Sequence, residues 1–109
     1  MNALFKIGDS FAVPVQFYNS ETNQGLAITS EMIITSRIVN ALNQTIAEPI
    51  VTVYPNQATD TGMILLEVPV SKTYLWKEGI ALMDIKLSMN GNIRHSQNIS
   101  FKIVRSITI

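Results

Sequence analysis

Ala81-Leu82-Met83-Asp84-Ile85-Lys86-Leu87-Ser88-Met89 runs directly into Asn90-Gly91-Asn92. Residues 81, 83, 85, 87 and 89 are apolar, and Asp84, Lys86 and Ser88 stand between them. A period of two sends alternate side chains to opposite faces, so the stretch predicts a strand with one buried side. Asn-Gly supplies the positive φ of a tight primed turn, which makes 79–89 and 93–104 the arms of a hairpin. In the second arm Ile99, Phe101 and Ile103 repeat the alternation against Ser100 and Lys102.

The same period governs the start of the chain. Phe11, Val13, Val15 and Phe17 share one parity, and Pro14 falls on the other. Proline cannot donate to a ladder, so 11–18 is expected at a sheet edge. Over 31–40 both parities carry apolar residues, Ile34 and Ile38 on one and Ile33 and Val39 on the other, which predicts a central strand with an ambiguous inward face. Turn residues punctuate these runs at Gly8-Asp9-Ser10, along 19–25, at Pro55-Asn56-Gln57 and at Asp60-Thr61-Gly62. The predicted strands are 3–7, 11–18, 31–40, 47–54, 62–69, 79–89 and 93–104. Ser71 to Gly79 predicts a single helical turn, with Ser71 as N-cap, Gly79 as C-cap and Leu75 dropping into the end of the core. The fold class is all-β: one domain over 1–109, an immunoglobulin-like antiparallel β-sandwich of about seven strands with one short helical turn.

Composition bounds the function. The 109 residues include eight basic and eight acidic side chains, a formal net charge of +0 and no cysteine. That length suits one core burying roughly two-thirds of the unfolded surface. With 47% hydrophobic and 15% charged residues, intrinsic disorder is excluded. A neutral balance supplies no field for phosphate backbones or acidic membranes, and no apolar run is long enough to span a bilayer. Residues 1–11 lack the pattern of a secretory signal, which predicts a chain folded in the cytoplasm. Without cysteine there is no disulfide, thiol nucleophile or thiolate metal site.

Convergent catalytic groups are scarce. His95 is the single histidine, and an imidazole needs partners to act as a base or a metal ligand. It is expected as a solvated or edge-strand residue. Asp84 and Glu67 are the carboxylates set most firmly inside strands, and a close carboxylate pair performs glycosidic acid/base chemistry. The parity of Asp84 points away from the core, which instead predicts a cross-strand partner to a lysine or a guard against edge pairing. There is no calcium loop, glycine-rich phosphate cradle or Gly-x-Ser-x-Gly elbow. Lys86, Arg94, Lys102 and Arg105 lie near the last hairpin without interleaved aromatics, so no nucleic-acid partner is expected. Tyr74 and Trp76 form the one local aromatic pair and are the partner-interface candidates, since two rings on a loop stack on sugars or anchor a protein. The competing reading half-buries Trp76 at the end of the sandwich. No catalytic residue, cofactor or metal is expected.

Several segments together resemble a phage family. Gly8-Asp9-Ser10-Phe11 opens an alternating apolar strand; Arg37 sits among β-branched residues; Gly62-Met63-Ile64-Leu65-Leu66-Glu67-Val68 is a glycine-led strand. Ser71 to Trp76 follows as a short turn, Asp84 lies inside an apolar strand before a glycine hairpin, and an alternating strand runs from Ile99 to Thr108. This order is similar to the immunoglobulin-like domain at the N-terminus of phage baseplate upper proteins, and to small single-domain phage tail-associated proteins. The family pattern has a tyrosine where Met83 stands. The resemblance implies a non-enzymatic structural or assembly subunit of a phage or prophage particle, found in the virion or in the host cytoplasm before assembly. A carbohydrate-binding module using Tyr74 and Trp76, with Tyr18 or Tyr54, is the alternative. Apolar residues on both strand parities and a mean hydropathy of +0.23 predict a homo-oligomer, at least a dimer, that also contacts other virion proteins.

Overall fold

The computed structural model describes residues 3–19 and 21–108; Ser20, in the polar connection expected over 19–25, lies outside them. In chain order the elements are β1 (Ala3–Lys6), β2 (Phe11–Gln16), β3 (Tyr18–Asn19), β4 (Gln24–Gly25), β5 (Ile33–Asn40) and β6 (Thr45–Ala47). There follow β7 (Ile50–Val53), β8 (Met63–Val68), α1 (Val70–Thr73), β9 (Gly79–Met89), β10 (Asn92–His95) and β11 (Ile99–Val104). One sheet has the order β1-β11-β9-β5-β6, with β10 also on β9; a second is β2-β8-β7; β3 and β4 make a small hairpin. Among the described residues every pairing is antiparallel except β1 with β11, which is parallel.

Among the described residues eleven strand segments thus stand where about seven were expected, because three predicted strands are each divided, 11–18 into β2 and β3 among them, and β4 forms within the polar connection expected over 19–25. The segment 47–54 changes sheets: β6 pairs with β5, β7 pairs with β8, and Glu48-Pro49 carries the chain across. Pro49 has no N–H to continue the first ladder. The arm 93–104 is split by a bulge. Ile93 pairs with Ser88 and Ile99 with Met83, six steps along one arm against five along β9. One extra residue flips parity, so Ile93 is 55% exposed while Phe101, on the same parity in sequence, is 6% exposed. Ser96 pins the bulge: its Oγ accepts from the Ile85 N–H at 2.9 Å, and its own N–H donates to the Ile85 carbonyl at 2.8 Å.

Other expectations hold. Asn90 (φ 51) and Gly91 (φ 82) form the turn between β9 and β10. Pro14 lies in β2, at the edge of the three-stranded sheet. β5 is internal, and its inward parity is set by β9: Ile38 lies beside Met83, and both are buried. Side chains from both sheets share one core, with Phe11, Ile64, Leu66 and Val68 on one side and Ile38, Met83, Ile85 and Phe101 on the other. At one end Phe5, Phe11, Trp76 and Phe101 cluster with ring centroids 5.2–6.3 Å apart. Such pairs contribute about 0.5–1.5 kcal/mol each beyond their buried area.

The helical turn differs in detail from its prediction. α1 begins after Pro69, whose fixed φ of -67° suits an N-terminus, and no side chain caps it, so Ser71 is inside the helix rather than its N-cap. Thr73 is fully buried and its hydroxyl donates to the Asp9 carbonyl at 2.8 Å, tying α1 to the β1–β2 turn. Leu75 is 63% exposed, and Trp76, one residue on, fills the core end instead. The molecule measures 43 × 27 × 26 Å with a radius of gyration of 15.0 Å, against about 13 Å for a spherical domain of this length. The eleven residues of β9 run from the Trp76 end to the hairpin tip.

Candidate interaction surfaces

Strand pairing places the outward residues of the six-stranded sheet in rows. Lys102 and Ile80 lie side by side with Leu4; next come Ser100, Leu82 and Val39. Asp84 and Arg37 form the third row, His95, Lys86 and Thr35 the fourth, and Ile93, Ser88 and Ile33 the last. Leu4, Ile33, Ile80, Leu82 and Ile93 are exposed. The face is therefore apolar at both ends and charged across its middle.

The charged middle opens into a groove of about 730 Å³ that includes Arg37, Glu48, Asp84, Lys86 and His95. Among the described residues the one ion pair is Arg37 Nη2 to Glu48 Oε1 at 3.9 Å, between exposed side chains, and worth about 0–1 kcal/mol. Asp84 sits opposite Arg37 in register but has no ion pair among the described residues. Its cross-strand neighbour is an arginine rather than a lysine, and β9 is paired on both sides, so Asp84 guards no edge. His95 is an exposed edge-strand residue, as its position predicts. Glu67 lies on the exposed outer face of β8, in the second sheet, so the fold separates it from Asp84. No group of three His, Cys, Asp or Glu among the described residues could hold a metal ion. Lys86 and Lys102 occupy distant rows, and Arg94, opposite Leu87, faces the other way, so these three do not gather into a basic patch.

The fold also separates the aromatic pair. Tyr74 is 62% exposed, whereas Trp76 is 6% exposed and donates its indole N–H to the Ile46 carbonyl at 3.3 Å. A buried indole cannot serve as an interface anchor, so Trp76 is a core residue and Tyr74 remains alone on the surface. Tyr18 is exposed beside Arg94 and His95, in a hollow of about 520 Å³ floored by Ile85 and Leu87. A third hollow, about 670 Å³, lies at the opposite end of β9 between Leu42, Leu75 and Ile80, with Trp76 and Ile103 beneath. Sequence reasoning expected contacts through sheet faces and edges but named no residue of this face, because its rows are assembled from five strands. The signal was present in the apolar residues Leu82 and Ile80 on the polar parity of β9. No family model matches the chain, and no curated protein matches it.

Proposed function

We propose that the chain is a non-enzymatic structural or assembly protein that works through protein–protein contacts on its sheet faces. The observation that carries this reading is the outer face of the six-stranded sheet, where Leu4, Ile33, Ile80, Leu82 and Ile93 are exposed on regular, ordered strands. Large apolar side chains grouped on one sheet face, rather than scattered singly, mark an interaction site. A net charge of +0 leaves little long-range repulsion between copies. We assign the two sheets to an immunoglobulin-like sandwich: β2-β8-β7 takes the positions of strands B, E and D, and β11-β9-β5 those of G, F and C. The setting we propose, a phage or prophage tail or baseplate, rests on the sequence resemblance. Glycan binding is the weaker reading, because Trp76 is buried and leaves Tyr74 without a second ring beside it.

Light scattering on the purified protein tests the reading. A species of at least twice 12.1 kDa is expected at micromolar concentration. Persistence in 0.5 M salt, where the Debye length is about 4 Å, would show that apolar contact dominates. A monomer that also fails to bind purified tail or baseplate components would overturn the proposal.

A further inference from the structure

We infer that the occupant of the outer six-stranded face is a second copy of this chain, related by a two-fold axis that runs parallel to the strands between β5 and β9. The inference rests on the self-association proposed above and names its geometry. Such an axis lays β5 of one copy on β9 of the other, in the aligned packing that twisted sheets adopt at about 30°. Arg37 then faces Asp84 of the second copy, and Asp84 faces its Arg37, so each dimer carries two reciprocal charge pairs. In the neighbouring row Leu82 meets Val39 of the second copy, and in the row beyond the charges Lys86 meets Thr35. None of these rows opposes like charges. An axis across the strands instead lays β5 on β5, setting Arg37 against Arg37, and such like-charge contacts cost several kcal/mol.

The unused charge supports the same assignment. Arg37 and Asp84 are register neighbours, yet the Arg37 guanidinium turns to the exposed Glu48, and Asp84 is left without an ion pair among the described residues. Area separates the two sheets. The strands of this sheet, spaced about 4.8 Å apart with about 3.4 Å per residue, together present about 600 Å². A specific interface takes about 600–1,000 Å² from each partner. The second sheet, with three strands of at most six residues, presents only about 300 Å².

Reversing the charges tests the geometry. In Arg37→Asp two carboxylate pairs oppose across the axis, and in Asp84→Arg two guanidinium pairs do. Each should weaken the dimer, measured by sedimentation equilibrium, by at least about tenfold. The double variant Arg37→Asp/Asp84→Arg should return the dissociation constant to within about threefold of the original, which misfolding cannot mimic. The chain has no cysteine, so an equimolar mixture of Val39→Cys and Leu82→Cys chains should give a cross-linked heterodimer with a short bis-maleimide, whose reach suits sheets packed about 10 Å apart. An oligomer indifferent to the reversals, with no such cross-link, overturns this geometry and leaves self-association standing. A wild-type monomer overturns both.

Discussion

Replacing Gly62 with alanine should damage the fold far more than the same change at Gly91, although both glycines have positive φ, +79° and +82°. A left-handed φ costs an L-residue about 1–2 kcal/mol at either site. Around Gly91 there is open space, and nothing lies within 4 Å of an added Cβ. At Gly62 the Cβ would stand 2.1 Å from the Phe17 carbonyl oxygen and 3.0 Å from that of Leu26, both backbone atoms. The Phe17 carbonyl is already held: it accepts from the Leu26 N–H at 2.9 Å, while the Phe17 N–H donates to the Gly62 carbonyl at 2.8 Å. Relieving the clash moves Phe17 and loses both bonds, at about 1 kcal/mol each. Gly62→Ala therefore totals about 3–4 kcal/mol against about 1–2 for Gly91→Ala. At about 4–8 °C per kcal/mol, the Gly62 variant should melt roughly 12–30 °C lower than the parent. Circular dichroism melts and urea titrations at one protein concentration would measure both, since oligomerisation makes the midpoint concentration-dependent. Equal losses in the two variants would show that the contact with Phe17 does not constrain the β8 entrance.

Two further outcomes follow from the core. Thr73→Val should cost about 1–3 kcal/mol by urea titration, because it removes the hydroxyl that donates to the Asp9 carbonyl at 2.8 Å and keeps the side-chain shape. Leu66→Ala, at a position with no exposure, should cost about 2–5 kcal/mol through lost burial and a residual cavity; a loss under 1 kcal/mol on the same titration would place Leu66 outside the core.

Much of the fold was legible because local pattern and tertiary role coincide. Ala81, Met83 and Ile85 are buried on the parity their spacing predicts, Asn90-Gly91 makes the turn its φ preference demands, and Pro14 lies on an edge where its missing N–H costs no ladder bond. The candidate site was less legible. Tyr74 and Trp76 are two residues apart, yet one faces solvent and the other the core, a choice made by how α1 packs on Asp9.

The sequence by itself determined the β class, the last hairpin and the inward face of every strand with one clear apolar parity, because a period of two needs no partner to be read. The tertiary structure alone decided the rest. The ambiguous parity of β5 was resolved only by lying beside β9, and the sheet change at Pro49 only by which ladder each half joined. The bulge at 96–98 turned Ile93 outward while Phe101 stayed inward, and a one-residue register shift leaves no trace in hydrophobic spacing. The charged and apolar rows of the outer face exist only once five strands lie side by side, since residues as distant in sequence as Arg37 and Asp84 become neighbours through hydrogen bonding alone.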